Sequence, residues 1–312
     1  MKKQIYIYSP SSAVRDKASF KRGVARLKAL GHEVEVDEAA LASYQRFAGD
    51  DATRVAAIHR AAASGADVAL ISRGGYGLTR ILGDINYKAL ARAISKGTKL
   101  VGLSDFTALQ SALYASTGAP SWAGPALGED FGVEGEPDDI MESCFDDLIG
   151  GHGEGAGWQL PKPRKSAGDD APVSRDFAIR NSVLWGGNLS VLATLAGTPY
   201  LTAPKGGTLF IEDVNEHPYR VERMLTQLLH AGLLAQQKAI VFGQFTRYQL
   251  VPHDKGFKLG SVVDWLQSKV KARVLTGLPF GHVPTKLTLP FGMPVSLMVE
   301  GRDAFIVWGH LH

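Results

Sequence analysis

The chain has 312 residues, enough for two domains of ordinary size and for a core that needs no disulfide or metal staple. Hydrophobic residues make up 45% and charged residues 21%, which excludes a disordered chain. The 34 basic and 31 acidic residues leave a net charge of +3 spread along the sequence, no argument for nucleic acid, and the single cysteine, Cys144, excludes an internal disulfide and a cysteine-rich metal site.

The first element is a β-rich run, QIYIY at 4–8, ending in Ser-Pro-Ser-Ser. It is too short for the ~7–15 apolar residues of a signal segment, and no run reaches the ~18 of a membrane span. We therefore expect a cytoplasmic protein with neither membrane nor nucleic acid as partner. Residues 18–30 place Val24, Leu27 and Leu30 on one helical face, and Gly31 stops the helix at its C-terminus. A short strand at 33–36 and an Ala-rich helix at 51–64 follow. DVALIS at 67–72 reads as a buried strand, 99–103 as another, and 105–116 as a helix. Strands alternating with helices predict a parallel sheet with helices on its faces.

Residues 150–175 are rich in Gly, Pro and charge without periodicity, and there we place a junction between domains. Beyond it, 188–196 and 218–231 read as helices, and 208–211 and 239–242 as strands. After Arg273 short β segments broken by Gly and Pro suit a small mixed or barrel-like β domain.

Four stretches have residues suited to chemistry. In VGLSDF at 101–106 a strand runs into Ser104 and a helix starts directly after it. A sharp turn there exposes the serine oxygen, and the next backbone N–H faces a developing oxyanion. Phe106 replaces the second glycine of G-x-S-x-G, and the plainer reading is that Ser104 or Asp105 caps the helix. The turn RGGYG at 73–77 follows a buried strand and lets backbone N–H groups approach a phosphate, a carboxylate or an oxyanion. It matches neither a dinucleotide fingerprint nor a P-loop, so a tight strand–helix connection is the competing reading. In LFIEDVNE at 209–216 acidic residues end a hydrophobic strand, and either Glu212 or Asp213 can orient a histidine; a solvated turn or helix cap is the alternative. His282, in a Gly/Pro-rich loop, is a candidate general base, although a lone histidine is commonly structural. His310 and His312 form an H-x-H at the extreme C-terminus, where fraying is expected, no H-E-x-x-H occurs, and we assign neither metal nor cofactor.

The runs RGGYG at 73–77, GLSDFTALQ at 102–110, WGGNL at 185–189, LFIEDVNEHPYRVERML at 209–225 and GH…LTLPFG at 281–292 occur in register. In this the chain resembles the LD-carboxypeptidases, a family of serine peptidases, from the first strand to near the C-terminus. The resemblance implies an α/β protein. A Rossmann-like or flavodoxin-like domain (1–150) would carry the nucleophile. A linker (151–175) would lead to a β-rich, barrel-like α/β domain (176–312) carrying the acid and base. It implies Ser104 as nucleophile, Glu212 as acid, His282 as base, and the N–H groups of Gly75 and Asp105 as oxyanion hole.

The implied reaction removes the terminal D-alanine from a muropeptide tetrapeptide during cytoplasmic murein recycling, by an enzyme that works as a homodimer. A carboxypeptidase must also hold a free carboxylate. Arg73, beside the oxyanion turn with Gly74, is one clamp, or else a structural ion pair. Trp185 and Asn188 either line the substrate cleft or only pack and cap the following helix. Two competing functions are a microcin-type amide or acyl-adenylate peptidase and a non-enzymatic protein that binds phosphate or nucleotide on the Gly-rich turn.

Overall fold

The computed structural model describes residues 2–162 and 176–309. Its first five strands are β1 (Gln4–Tyr8), β2 (Glu33–Val36), β3 (Val68–Ile71), β4 (Lys99–Gly102) and β5 (Ser121–Ala123). They are followed by β6 (Gly155–Gln159), β7 (Phe177–Asn188), β8 (Thr208–Val214), β9 (Ala239–Thr246), β10 (Arg273–Leu275), β11 (Leu289–Phe291), β12 (Met293–Glu300) and β13 (Asp303–Val307). The first five pair in parallel in the order 2-1-3-4-5, the flavodoxin-like arrangement, and β11 adds antiparallel to β5.

Alternate side chains of β1 and β3 go to opposite cores. Tyr6, Tyr8, Ala69 and Ile71 pack with Ile58, Leu109 and Leu113, while Ile5, Ile7, Val68 and Leu70 pack with Phe20 and Leu27. Each Ile, Leu, Val or Phe among them contributes ~1.5–3 kcal/mol of burial. Burial on both faces is why VALI has no polar residue. The expected first helix runs from Lys17 to Ala29. Asp16 accepts the Ser19 N–H at its start, and Gly31 follows its end at φ +91°.

The second sheet has the order 10-9-8-7-12-13-6, parallel from β10 to β7 and antiparallel from there to β6. It curls into half a barrel. One face is covered by the helices Leu189–Leu195, Pro218–His230 and Leu259–Lys269. The other packs Leu184, Phe210, Val241 and Leu297 against Leu103, Ala123 and Leu289 of the first sheet. The loops after β3 and β4 of one sheet, and after β8 and β9 of the other, line a common cleft. Among the described residues no helix is long and apolar enough to cross a membrane.

Three expectations are corrected. The segment 151–162 is not a structureless linker, because β6 forms the edge of the second sheet there; residues 163–175 lie outside the described residues, as do His310 and His312. The glycines that read as linker allow close pairing with β13: a Cβ at Gly155 would come within 2.7 Å of the Ile306 carbonyl oxygen. The 12-residue β7 escapes period-2 reading because Asn181 sits at φ +51° and the register against β12 shifts between Val295 and Leu297. Finally, β8 continues to Val214, so Glu212 and Asp213 are strand residues and not a solvated turn.

Candidate active site

Ser104 stands between β4 and the helix Phe106–Thr117 with φ +65°, a left-handed conformation uncommon outside glycine. That is the backbone of a nucleophile elbow, where a sharp turn lifts the side chain out of the sheet. Neither Ser104 nor Asp105 makes a side-chain cap on this helix. The Asp105 carboxylate instead accepts the Leu78 N–H at 2.9 Å, in the residue that follows the Gly-rich turn. Asp105 is buried, and desolvation pushes its carboxyl above the usual range against the pull of that bond.

The Gly-rich turn is packed from all sides. A Cβ at Gly74 would lie 2.6 Å from Ser104 Cβ, one at Gly75 2.2 Å from Ser12 Oγ, and one at Gly77 2.6 Å from a guanidinium nitrogen of Arg54. Gly75 has φ +114°. Buried Arg54 donates to the Gly77 carbonyl at 2.8 Å and seats the turn from below. The Tyr76 N–H goes to Ser12 Oγ at 3.0 Å, and Leu78 N–H to Asp105. The N–H groups of Gly75 and Asp105 donate to no other group among the described residues.

Facing this turn, His282 Nδ1 lies 2.8 Å from Glu212 Oε2. A carboxylate only accepts, so Nδ1 carries the proton and Nε2 is left for another partner. Glu212 is fully buried and His282 nearly so, and Gly281 at φ +135° brings the loop within reach: a Cβ there would be 3.0 Å from Glu212 Oε2. Burial pulls the imidazole down, but the hydrogen bond and charge of Glu212, with Glu129 beyond, outweigh it and hold the His282 pKa above its ordinary value.

Asn188 fixes the acids. Its Nδ2 donates to Glu212 Oε1 and to Asp213 Oδ1, each at 3.1 Å, while its Oδ1 accepts from Ser190 Oγ and the Val191 N–H. Asp213 turns away from the histidine and takes the Ser190 N–H at 2.8 Å. Burial, and then the neighbouring Glu212 charge, raise its carboxyl to about 6.

Ser104 and His282 line one cleft of about 780 Å³, together with Arg73, Gly75, Glu129, Asp130, Asn215, Arg247 and Lys286. No hydrogen bond joins Ser104 to His282 among the described residues. The loop bearing His282 is anchored four residues on by Lys286, whose Nζ lies 2.5 Å from Asp130 Oδ1 with both side chains buried. Asp130 belongs to a π-turn, Leu127–Phe131, of the kind that recurs at functional sites.

The structure thus gathers Arg73, Gly75, Ser104 and His282 at the cleft, with Gly74 and Asp105 at the Ser104 turn and Glu212 behind the histidine. Of the two acids it joins Glu212, not Asp213, to the histidine. Trp185 does not line the cleft: it is 1% exposed, lies in the core of the second sheet and donates its indole N–H to Gln237. Asn188 caps the helix Leu189–Leu195 and holds the acids, with no place at the cleft wall. Arg73 donates to the Ala13 carbonyl at 3.2 Å rather than to an acid. Sequence reasoning missed Asp130, Lys286, Asn215 and Arg247. Only a buried lysine among apolar residues near His282 could have drawn attention to any of them.

This constellation, a strained serine, donors beside it and a buried acid–histidine pair, defines a serine hydrolase geometry. Residues 5–124 match the N-terminal domain of LD-carboxypeptidases and residues 181–297 match their C-terminal domain. The chain belongs to the LD-carboxypeptidase family and is a serine-type carboxypeptidase. It is 36% identical to the crystal structure of muramoyltetrapeptide carboxypeptidase from Oxalobacter formigenes, with a TM-score of 0.85 and 98% of each chain covered. It is 28% identical over 308 residues to the murein tetrapeptide carboxypeptidase of Pseudomonas aeruginosa, covering 96% of this chain and 94% of that protein. A more distant relative is the microcin C7 self-immunity protein of Escherichia coli, 24% identical over 261 residues, 76% of this chain and 73% of the other.

Proposed function

We propose that this carboxypeptidase removes the terminal D-alanine from muropeptide tetrapeptides, with Ser104, His282 and Glu212 as its catalytic triad. The observation that carries the proposal is the meeting of a left-handed Ser104 and a buried Glu212–His282 pair at one cleft. Two relatives that cover nearly the whole chain are named for murein or muramoyl tetrapeptides, while structures of the microcin self-immunity protein match it over a similar length at lower identity.

In this reading His282 Nε2 takes the Ser104 proton as the serine oxygen attacks the peptide carbonyl. Glu212 holds the imidazole tautomer and stabilises the imidazolium. The Gly75 and Asp105 N–H groups receive the oxyanion, each worth ~3–4 kcal/mol in comparable sites. His282 then protonates the leaving D-alanine, and water, activated by the same imidazole, releases the acyl-enzyme. The Ser104–His282 bond forms when substrate fills the cleft, as apo sites commonly tighten on binding. The Tyr76 N–H of the Gly-rich turn is already used by Ser12, and that of the following Leu78 by Asp105, which favours a single-atom oxyanion over a phosphate.

The division into a nucleophile-bearing unit (1–150) and an acid–base unit (176–312), joined by a connection that includes the edge strand β6, belongs to this proposal. So do action in cytoplasmic murein recycling and a homodimeric state. Proteolysis, cell fractionation and sedimentation test the three in turn. The central test is mass spectrometry of a muropeptide tetrapeptide incubated with wild type and with Ser104→Ala. Loss of one terminal alanine by wild type alone is expected. Equal loss by both proteins would remove Ser104 as nucleophile. No loss by either would remove the substrate and turn attention to acyl-adenylate amides.

A further inference from the structure

We propose that Arg247, set beside Asn215, binds a carboxylate of the substrate peptide, an inference that rests on the peptidase reading above. Three cations line the cleft, and they differ in what holds them. Lys286 is buried against Asp130, and its charge is already matched. Arg73 is tethered to the Ala13 carbonyl. Arg247 is exposed at the cleft wall and has no hydrogen-bond or ion-pair partner among the described residues.

Its backbone is the second observation. Arg247 directly follows β9 and has φ +59°; Asn215 directly follows the neighbouring strand β8 and has φ +64°. The two are linked through the backbone, since the Asn215 N–H donates to the carbonyl of Thr246 at 2.9 Å. A left-handed arginine costs conformational energy that glycine would not, and such residues gather at ligand sites where the surrounding structure holds them. Two in adjacent positions, at the C-terminal ends of parallel strands, stand where ligands bind in α/β sheets.

The chemistry selects an anion. A guanidinium presents a planar fork of donors that matches a carboxylate bidentately, and the Asn215 side-chain amide adds a donor from the next strand end. Glu129 and Glu136 line the same cleft, so a cation left unmatched among them is available to the ligand. The proposal concerns the two carboxylates nearest the scissile bond: the C-terminus, and the side-chain carboxylate of a diamino acid that carries one.

The test is titration calorimetry on the inert Ser104→Ala protein and on Ser104→Ala with Arg247→Met, Arg247→Lys or Arg247→Gly. Three tetrapeptides are compared: one with both carboxylates, one amidated at the C-terminus, and one whose diamino acid lacks the side-chain carboxylate. Arg247→Met is expected to weaken binding of the first about tenfold or more, as for a lost charged hydrogen bond. It is expected to make no difference to the peptide lacking the carboxylate that Arg247 reads, and that peptide identifies which carboxylate it is. Arg247→Lys recovers part of the affinity. Arg247→Gly suits the backbone, so it keeps or raises the unfolding midpoint while losing affinity as Met does. Equal weakening on all three peptides, no weakening on any, or no measurable binding of any to the Ser104→Ala protein overturns the proposal. Alanine release by the otherwise wild-type enzyme, measured separately, reports on the peptidase reading itself.

Discussion

On one side of the cleft Ser104 is held by backbone and volume: a left-handed residue after β4, wedged against a turn whose glycines leave no space for a Cβ. On the other side His282 is held by buried charge. Glu212 orients it, Asn188 orients Glu212, and the Lys286–Asp130 pair anchors its loop to the first sheet. The serine side centres on short stretches, 72–78 and 102–106, rich in glycine and seated from outside by Ser12 and Arg54. The histidine side draws on groups as far apart in the chain as Asp130 and Lys286, and it works only while every buried polar atom keeps its partner. The two sides should therefore fail in different ways, by steric displacement on one and by uncompensated charge on the other.

The largest expected effect is on the charged side. Glu212→Gln removes the acceptor that holds the His282 tautomer, and kcat should fall by about 10³–10⁴-fold, as for acid-to-amide changes in other serine triads. The pH profile gives a second readout. In the proposed mechanism His282 must be neutral to act as base, and Glu212 holds its pKa above the ordinary value, so wild-type kcat/KM should fall as pH drops through that raised pKa. In Glu212→Gln the acid limb of the residual activity should move to lower pH. An unmoved limb would assign the titration to another group.

Lys286→Met leaves the Asp130 carboxylate buried and unpaired, and should cost ~3–5 kcal/mol in a urea titration. Replacing both partners with apolar residues should restore most of that. If the double variant is as unstable as the single one, the pair serves by packing and not by charge.

On the serine side, Gly74→Ala should lower kcat about 100-fold by pushing Ser104 aside, close to 2.7 kcal/mol of barrier. The acid limb set by His282 should stay where it is. A shifted acid limb in this variant would show that the two sides are not independent.

The most gradual effect, smallest per pH unit, concerns Asp213. Its carboxyl is raised to about 6 by burial and by Glu212, against an ordinary 3.8. Between those two values the native state binds a proton that the unfolded chain has lost. Stability therefore decreases as pH rises through that window, by at most ~1.4 kcal/mol per pH unit, and levels off above it. Asp213→Asn should flatten that slope, as read from unfolding midpoints at several pH values.

Much of this was legible in the residues. A strand running into Ser104, the triple-glycine turn and the acid-ended strand are local patterns, because strand alternation, glycine conformations and helix starts depend on neighbours in sequence. From these follow the parallel sheet, the elbow and a short set of acids and bases. Where the local pattern was broken, reading failed. A bulged β7 hid its period, the glycines of β6 passed for linker, and Trp185 was left open between cleft and packing although it fills the core.

What only the tertiary structure decided is which charges meet. Glu212 and Asp213 are adjacent and chemically alike. Both bind Asn188 Nδ2, and their roles part by what else each carboxylate meets: Glu212 reaches His282, and Asp213 takes the Ser190 N–H at the start of the helix that Asn188 caps. Lys286 is matched and Arg247 is left to the cleft for a similar reason. Asp130 reaches the first, and no acid among the described residues reaches the second. Conformation of the backbone is a short-range property and can be read along the chain. Charge pairing is set by distance in space and by exclusion of water, and neither exists until the two sheets have packed.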